Sequence, residues 1–221
     1  MDRKSPVKIR ERMPAVKMKV TEIRQTAGRK YRVSVDGEFA FALYKGELSR
    51  YHLAEGTCLS EDTCRDIRQN VVLKRAKLRA MHLLEDMDRT ECQLRQKLGT
   101  GEYPEDITDM AVEYVKSFGY LNDLEYARRF VESRKQSKSR KEIYALLAGR
   151  GLEGALIEQV LEEAYDSQDA RRAIRRILDK KRYCPETATE KEKQKIYASL
   201  ARKGFRYEDI RHVIQIPEWN A

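Results

Sequence analysis

In the stretch DARRAIRRILDKK, Asp169–Lys181, four arginines recur at Arg171, Arg172, Arg175 and Arg176. On a helix this spacing gathers them on one face, while Ala170, Ala173, Ile174, Ile177 and Leu178 supply the apolar face. Arginine's planar fork pairs bidentately with phosphate or carboxylate, which a lysine ammonium cannot do, so the stripe is suited to an anionic surface. Lys180 adds a further cation near its end. A second concentration runs through RKQSKSRK, with Arg134, Lys135, Lys138, Arg140 and Lys141, and Arg128 and Arg129 stand on the helix before it. Segment 128–150 holds eight Lys and Arg against two Glu, a local excess of +6. Each arginine taken alone could belong to a solvated helix face. The two clusters together point to a binding face for a polyanion or an acidic protein.

Catalytic chemistry has no comparable signature. The chain carries neither a phosphate-loop nor a dinucleotide fingerprint, and Gly99-Thr100-Gly101 matches neither. The nucleophile-elbow and zinc-protease motifs are missing, and His52, His82 and His212 stand in unrelated contexts. Asp106, Asp109 and Asp123 read as helix-start residues favoured by the positive end of the helix dipole. Of the four cysteines, Cys58, Cys64, Cys92 and Cys184, only the first two are close, at a spacing wider than zinc ligands prefer. We therefore expect no enzyme, no metal and no cofactor, and four reduced thiols in a cytoplasmic protein. The net charge of +9 on 221 residues again suggests an anionic partner, though solubility alone would also be served. No apolar run approaches the ~20 residues a membrane span needs. Residues 1–16 are basic without an apolar segment and read as a disordered arm.

The elements that must position these residues fall into two kinds. KVTEIRQ and KYRVSV alternate like half-buried strands, and Asp36-Gly37 before EFAFAL is a hairpin turn signal. A short helix around Lys45–Tyr51 and a Ser60 helix cap complete a small β-rich domain over 17–67. From about Val71 helical periodicity takes over. Ala76, Leu78, Met81, Leu83, Leu84 and Met87 form one stripe, and Ile107, Met110, Ala111, Tyr114 and Val115 the next. Asn122 with Glu125, Ser139 with Glu142 and Thr189 with Glu192 are helix-start signals, and Gly119 suits a helix end with positive φ.

IYALLAGRG at Ile143–Gly151 returns as IYASLARKG at Ile196–Gly204, with six of nine residues identical. The match continues with Ile157 on Ile210 and Val160 on Val213, and YPEDI at Tyr103–Ile107 echoes RYEDI at Arg206–Ile210. We expect three tandem helical modules, over 68–121, 122–166 and 167–221 counting the tail, stacked into an elongated curved body; a single irregular bundle is the alternative. Within a module, helices two and three should meet at a glycine turn, at Gly101, Gly151 and Gly204. Tyr144 and Tyr197 hold equivalent repeat positions, which favours packing over base stacking. Phe118, Tyr120, Tyr126 and Phe130 read as core at a module junction.

GYLNDLEYARRFVESR, Gly119–Arg134, together with the glycine-turned helix pairs, resembles the RecX family of bacterial regulators of the RecA recombinase. The family pattern is met by Gly119, Tyr120, Leu121, Asn122, Asp123, Tyr126 and Ala127; Asn122 replaces a common Asp, and both cap helices. The resemblance covers about 71–215. It implies a mainly α fold of three tandem three-helix modules, each like a helix-turn-helix unit, after the β-rich extension. It also implies binding to the RecA filament on DNA, in its groove, by a monomer that inhibits strand exchange and ATP hydrolysis and modulates coprotease activity. The motif residues, with Gly151 and Gly204, are assigned to structure. Contact is assigned to Arg128, Arg129, the Arg134–Lys141 loop, Arg171, Arg172, Arg175, Arg176 and Lys180. The rival reading is a free-standing DNA-binding helix-turn-helix protein, binding DNA without any recombinase.

Overall fold

The computed structural model describes residues 17–26, 28–184 and 187–215, so the basic arm at 1–16 and the tail beyond 215 lie outside the described residues. Strands β1 (Lys17–Gln25), β2 (Lys30–Val35), β3 (Glu38–Tyr44) and β4 (Cys58–Ser60) form an antiparallel sheet of order β3-β2-β1-β4. Asp36 and Gly37 take φ of 51° and 89°, the left-handed pair that a two-residue hairpin turn requires. Val33 faces Phe41 across the β2–β3 ladder, and Val20, Val33, Phe41 and Leu43 are fully buried on one side of the sheet. Helix α1 (Lys45–Arg50) follows β3, and Ser60 caps α2 (Glu61–Asp66) by accepting from the Thr63 N–H. The three-residue β4, which pairs with the start of β1, is absent from the sequence expectation, as is the π-helical stretch Ile67–Leu73 that carries α2 into α3.

The remaining elements are α3 (Lys74–Asp86), α4 (Glu91–Gly99), α5 (Glu105–Ser117), α6 (Asp123–Arg134), α7 (Arg140–Ala148), α8 (Gly154–Ala164), α9 (Ser167–Lys180), α10 (Glu190–Arg202) and α11 (Tyr207–Gln215). The expected caps are present. Asn122 accepts from the Glu125 N–H, and Ser139 with Glu142 and Thr189 with Glu192 form reciprocal capping boxes. Among the described residues no helix is long and apolar enough to cross a membrane, and all four cysteines are free.

The chain divides into two compact units, residues up to 82 with 96–115, and 83–95 with 116 onward. In the first unit, Arg75 pairs with Glu47 at 2.9 Å and donates to the Ala42 carbonyl, while Arg68 pairs with Asp106 of α5. The α3 stripe differs from the expected one. Ala76, Ala80 and Leu83 are buried at i, i+4 and i+7, whereas Leu78, at i+2, is exposed on another face and Met87, at i+11, is exposed just past the end of α3. In the second unit, Ala127, Val131, Ile143, Leu147, Ile157 and Val160 form the core of α6–α8. Ala170, Ala173, Ile174, Leu178, Leu200 and Ile210 form the core of α9–α11, and Tyr165 packs against both.

One joint occurs twice within this unit. Thr90 and Ser139, the residues before α4 and α7, are fully buried. Thr90 Oγ1 donates to the Arg150 carbonyl at 2.7 Å, and Ser139 Oγ donates to the Lys203 carbonyl. Each acceptor precedes a left-handed glycine, Gly151 at φ 80° and Gly204 at φ 87°. A Cβ on Gly151 would stand 2.3 Å from Cys92 Sγ, and one on Gly204 2.5 Å from Lys141 Cβ. These glycines therefore serve two needs, the corner and the close approach of the neighbouring helix.

The first copy departs from the expected glycine corner: the left-handed residue is Glu102, at φ 62°, not Gly101. The sheet supports this turn. Lys30 Nζ donates to the Gly101 carbonyl at 2.7 Å, and Thr26 Oγ1 donates to Glu102 Oε2 at 3.0 Å. Burial holds the Lys30 amine below the usual lysine range, with the nearby Arg75 charge adding to the effect. The carbonyl answered by a cap hydroxyl at the later turns is answered here by a strand lysine.

Candidate protein and nucleic-acid interface

The family-like motif is a joint. Leu121 and Ala127 are buried, Asn122 caps α6, and Asp123 Oδ1 accepts the Glu91 N–H at 2.9 Å, tying the start of α6 to the start of α4. Burial raises the Asp123 carboxyl above its ordinary range, partly offset by that N–H. Tyr126 and Phe130 stack at 6.4 Å and pack, partly buried, against the α6–α8 core of their own helix trio. Phe118 and Tyr120 do not; they are 58% and 61% exposed and stack on each other at 6.0 Å. Gly119, at φ 73°, reverses the chain at the end of α5, so its two neighbours splay outward and Leu121 alone turns in. Tyr144 and Tyr197 are half-buried, each against the core of its own helix trio, and Tyr197 donates to the Tyr207 carbonyl.

The basic residues sort into two groups by what they touch. Arg128 pairs with Glu125 at 2.8 Å and Glu163 at 3.1 Å, and Arg129 with Asp88 at 3.0 Å. Lys135 meets Glu132 at 2.9 Å and reaches toward the buried Asp169 at 3.8 Å. Arg140 pairs with Glu158 at 2.5 Å. Arg171 meets the buried Asp209 at 3.3 Å, so the first arginine of the α9 stripe faces α11. The same relation holds Arg68 to Asp106, at the matching aspartate of the YPEDI echo. Those two aspartates do more than favour a helix start; each fixes an arginine from an earlier helical stretch.

The second group faces solvent. Arg175, Arg176 and Lys180 are exposed and have no ion pair among the described residues, and Arg172 has only a 3.8 Å approach to Asp169. Arg172, Arg176 and Lys180 follow one another at i, i+4 and i+8, one helical turn apart along the outer side of α9. At the end of α6, Arg134 is exposed with its guanidinium 5.7 Å from the Phe130 ring centre, and in the loop to α7 Lys138 is half-buried with its carbonyl accepting the Tyr165 hydroxyl at 3.1 Å.

A cleft of about 570 Å³ opens within the second unit, where α7 meets the starts of α9 and α11. Leu161, Ala170 and Phe205 give it an apolar floor, and Tyr144 and Tyr165 stand in its wall. Burial pushes the Tyr165 phenol far above the usual tyrosine range. Arg140, Lys141 and Arg206 line it as cations. Neither Arg206 nor Tyr165 carries a sequence signal as a site residue; the only pointer is that Arg206 stands at the repeat position held by Glu153.

Family models for the first, second and third three-helix domains of RecX match residues 76–114, 122–161 and 169–214. The regulatory protein RecX of Caldanaerobacter subterraneus subsp. tengcongensis is 33% identical over 88% of this chain and 96% of its own. That of Clostridioides difficile is 28% identical over 88% and 93%. A crystal structure of regulatory protein RecX superposes with a TM-score of 0.58 at 22% identity, covering 90% of this chain and 98% of that one. The RecX structure from Lactobacillus salivarius gives 0.55 at 22% identity over 65% and 94%, and both support the fold. With three successive RecX domains matched and a relative one-third identical along nearly its whole length, the chain belongs to the RecX family of regulatory proteins.

Proposed function

We propose that this protein binds the RecA filament on DNA, lies in its groove, and modulates, mostly by inhibition, its recombinase, ATPase and coprotease activities in DNA repair and the SOS response. It acts in the cytoplasm as a monomer, touches single- or double-stranded DNA weakly by itself, and carries out no catalytic step and needs no cofactor. The limits 17–67 for the β-rich domain and 68–121, 122–166 and 167–221 for the modules belong to the same proposal. The observation that carries the reading is the set of exposed α9 cations with no ion pair among the described residues, Arg175, Arg176 and Lys180, in a chain of the RecX family. Ion pairs consume Arg128, Arg129, Lys135, Arg140 and Arg171. We therefore place filament contact on the outer side of α9 and on Arg134, Lys138 and Lys141, and give the paired residues supporting roles.

The test is RecA ATPase and strand exchange on single-stranded DNA with this protein added below one copy per recombinase monomer. Inhibition under those conditions supports a filament regulator. No effect, with DNA binding intact and steeply salt-dependent, would replace it with the free-standing DNA-binding reading.

A further inference from the structure

The two joints of the second unit share one scaffold, and their residues can be compared position by position. Thr90 and Ser139 are the buried cap hydroxyls; Leu94 matches Ile143, Gly151 matches Gly204, and Leu152 matches Phe205, all four apolar members being buried. The carbonyls of Glu153 and Arg206 accept equivalent bonds from the Ile157 and Ile210 N–H groups. In this register Glu91 corresponds to Arg140, Cys92 to Lys141, and Glu153 to Arg206. Two carboxylates and a thiol at one joint become two guanidiniums and an ammonium at the other. The packing cannot require the cations, because the first joint is built without them.

The second joint is also the one that opens into the 570 Å³ cleft. Its carboxylates are already engaged. Glu158 pairs with Arg140 at 2.5 Å, Asp209 with Arg171 at 3.3 Å, and Asp166 accepts the Asp169 N–H at 2.8 Å. Lys141 and Arg206 have no acidic partner among the described residues, and Arg140 Nε is buried without a hydrogen-bond acceptor. The result is a concave apolar floor whose edge carries two cations without an acidic partner, Lys141 and Arg206, beside the Arg140–Glu158 pair and the Asp166 carboxylate.

We propose that this cleft is a docking site for an acidic peptide segment of a partner protein, which seats an apolar side chain on Leu161, Ala170 and Phe205 and sets its carboxylates against Lys141 and Arg206. A nucleic-acid strand fits less well. Strand binding uses a cationic groove that tracks a backbone, whereas here the cations ring one concavity whose lining includes three carboxylates. The proposal rests on the charge exchange between the joints; it shares Lys141 with the filament reading, and Arg206, which that reading does not use, distinguishes the two.

The experiment is fluorescence anisotropy of the full chain with a short fluorescein-labelled peptide alternating glutamate and leucine. Saturable binding is expected, weakened about tenfold or more by Arg206→Glu, and several-fold by Lys141→Met, which keeps the stem that packs under Gly204. Ser167→Trp, at the exposed mouth, should block binding without removing a cation. Circular dichroism melts matching the parent establish that each variant is folded. The proposal is overturned if no saturable binding occurs, if folded Arg206→Glu binds as well as the parent, or if polyglutamate of equal length binds as tightly. It is overturned equally if a single-stranded oligonucleotide binds more tightly than the peptide and loses affinity in the same variants, which would assign the cleft to nucleic acid.

Discussion

Ser139→Ala is the sharpest test of the joints, because Thr189 provides an internal control. Both residues cap a helix with a full capping box, Ser139 receiving the Glu142 N–H at 3.1 Å and Thr189 the Glu192 N–H at 3.4 Å. Loss of such a cap costs about 1 kcal/mol at either position. Only Ser139 is fully buried and also donates to a carbonyl of the next helix trio, that of Lys203; Thr189 is exposed, and its hydroxyl donates to Glu192 of its own box. Leaving the Lys203 carbonyl without its donor adds roughly 1–3 kcal/mol. Ser139→Ala is therefore expected to cost about 2–4 kcal/mol against about 1 for Thr189→Ala. Ser139→Thr should restore most of the loss, since Thr90 holds the same position in the first joint. Urea unfolding followed by far-UV circular dichroism measures all three. Equal losses at Ser139 and Thr189, or a threonine variant as weak as the alanine, would refute the joint as a stabilising contact.

Further expectations follow from the same geometry. Gly151→Ala and Gly204→Ala should each destabilise more than Gly37→Ala. All three pay for a positive φ, about 1 kcal/mol, but nothing stands within 4 Å of a Cβ at Gly37, while the other two collide with Cys92 and Lys141. Arg171→Ala should cost about 3 kcal/mol by stranding the Asp209 carboxylate, whereas Arg175→Ala with Arg176→Ala should leave the urea midpoint nearly unchanged and weaken inhibition of RecA. The raised Tyr165 phenol favours the folded state while it is neutral, so its contribution is whole below the ordinary tyrosine value of about 10 and is lost as pH rises beyond it. Tyr165→Phe should flatten that alkaline decline in a pH series of urea midpoints.

Local features of the fold were legible because local physics decides them. Asp36-Gly37 can hardly be anything but a tight hairpin turn, and Ser139 with Glu142 satisfies helix-start N–H groups wherever the helix goes. The apolar face of α9 is buried at Ala170, Ala173, Ile174 and Leu178, as the 3.6-residue period of the sequence predicts. What escaped depends on partners distant in sequence. Phe118 and Tyr120 are aromatic enough for a core, yet the reversal at Gly119 turns both outward. Arg171 and Arg175 are indistinguishable in the letters; one meets Asp209 and the other meets solvent. Cys58–Ser60 is too short to alternate, and only its pairing with β1 makes it a strand.

The repeats show the same limit from the other side. Identity between IYALLAGRG and IYASLARKG marks residues that any such helix pair needs: Ile143 and Leu147 for the core, Gly151 for the corner and the close approach. Identity therefore reports construction. Function is better sought where equivalent positions disagree although the scaffold around them is held constant. Glu91, Cys92 and Glu153 against Arg140, Lys141 and Arg206 is such a disagreement, and so is Lys30 answering the Gly101 carbonyl where Thr90 and Ser139 answer those of Arg150 and Lys203. The second substitution is explained by the sheet that supplies the lysine. Packing accounts for only part of the first, through the Arg140–Glu158 pair and the Lys141 stem against Gly204; the Lys141 ammonium and Arg206 have no acidic partner among the described residues, which makes the cationic cleft the place where one joint of a structural repeat has diverged toward recognition.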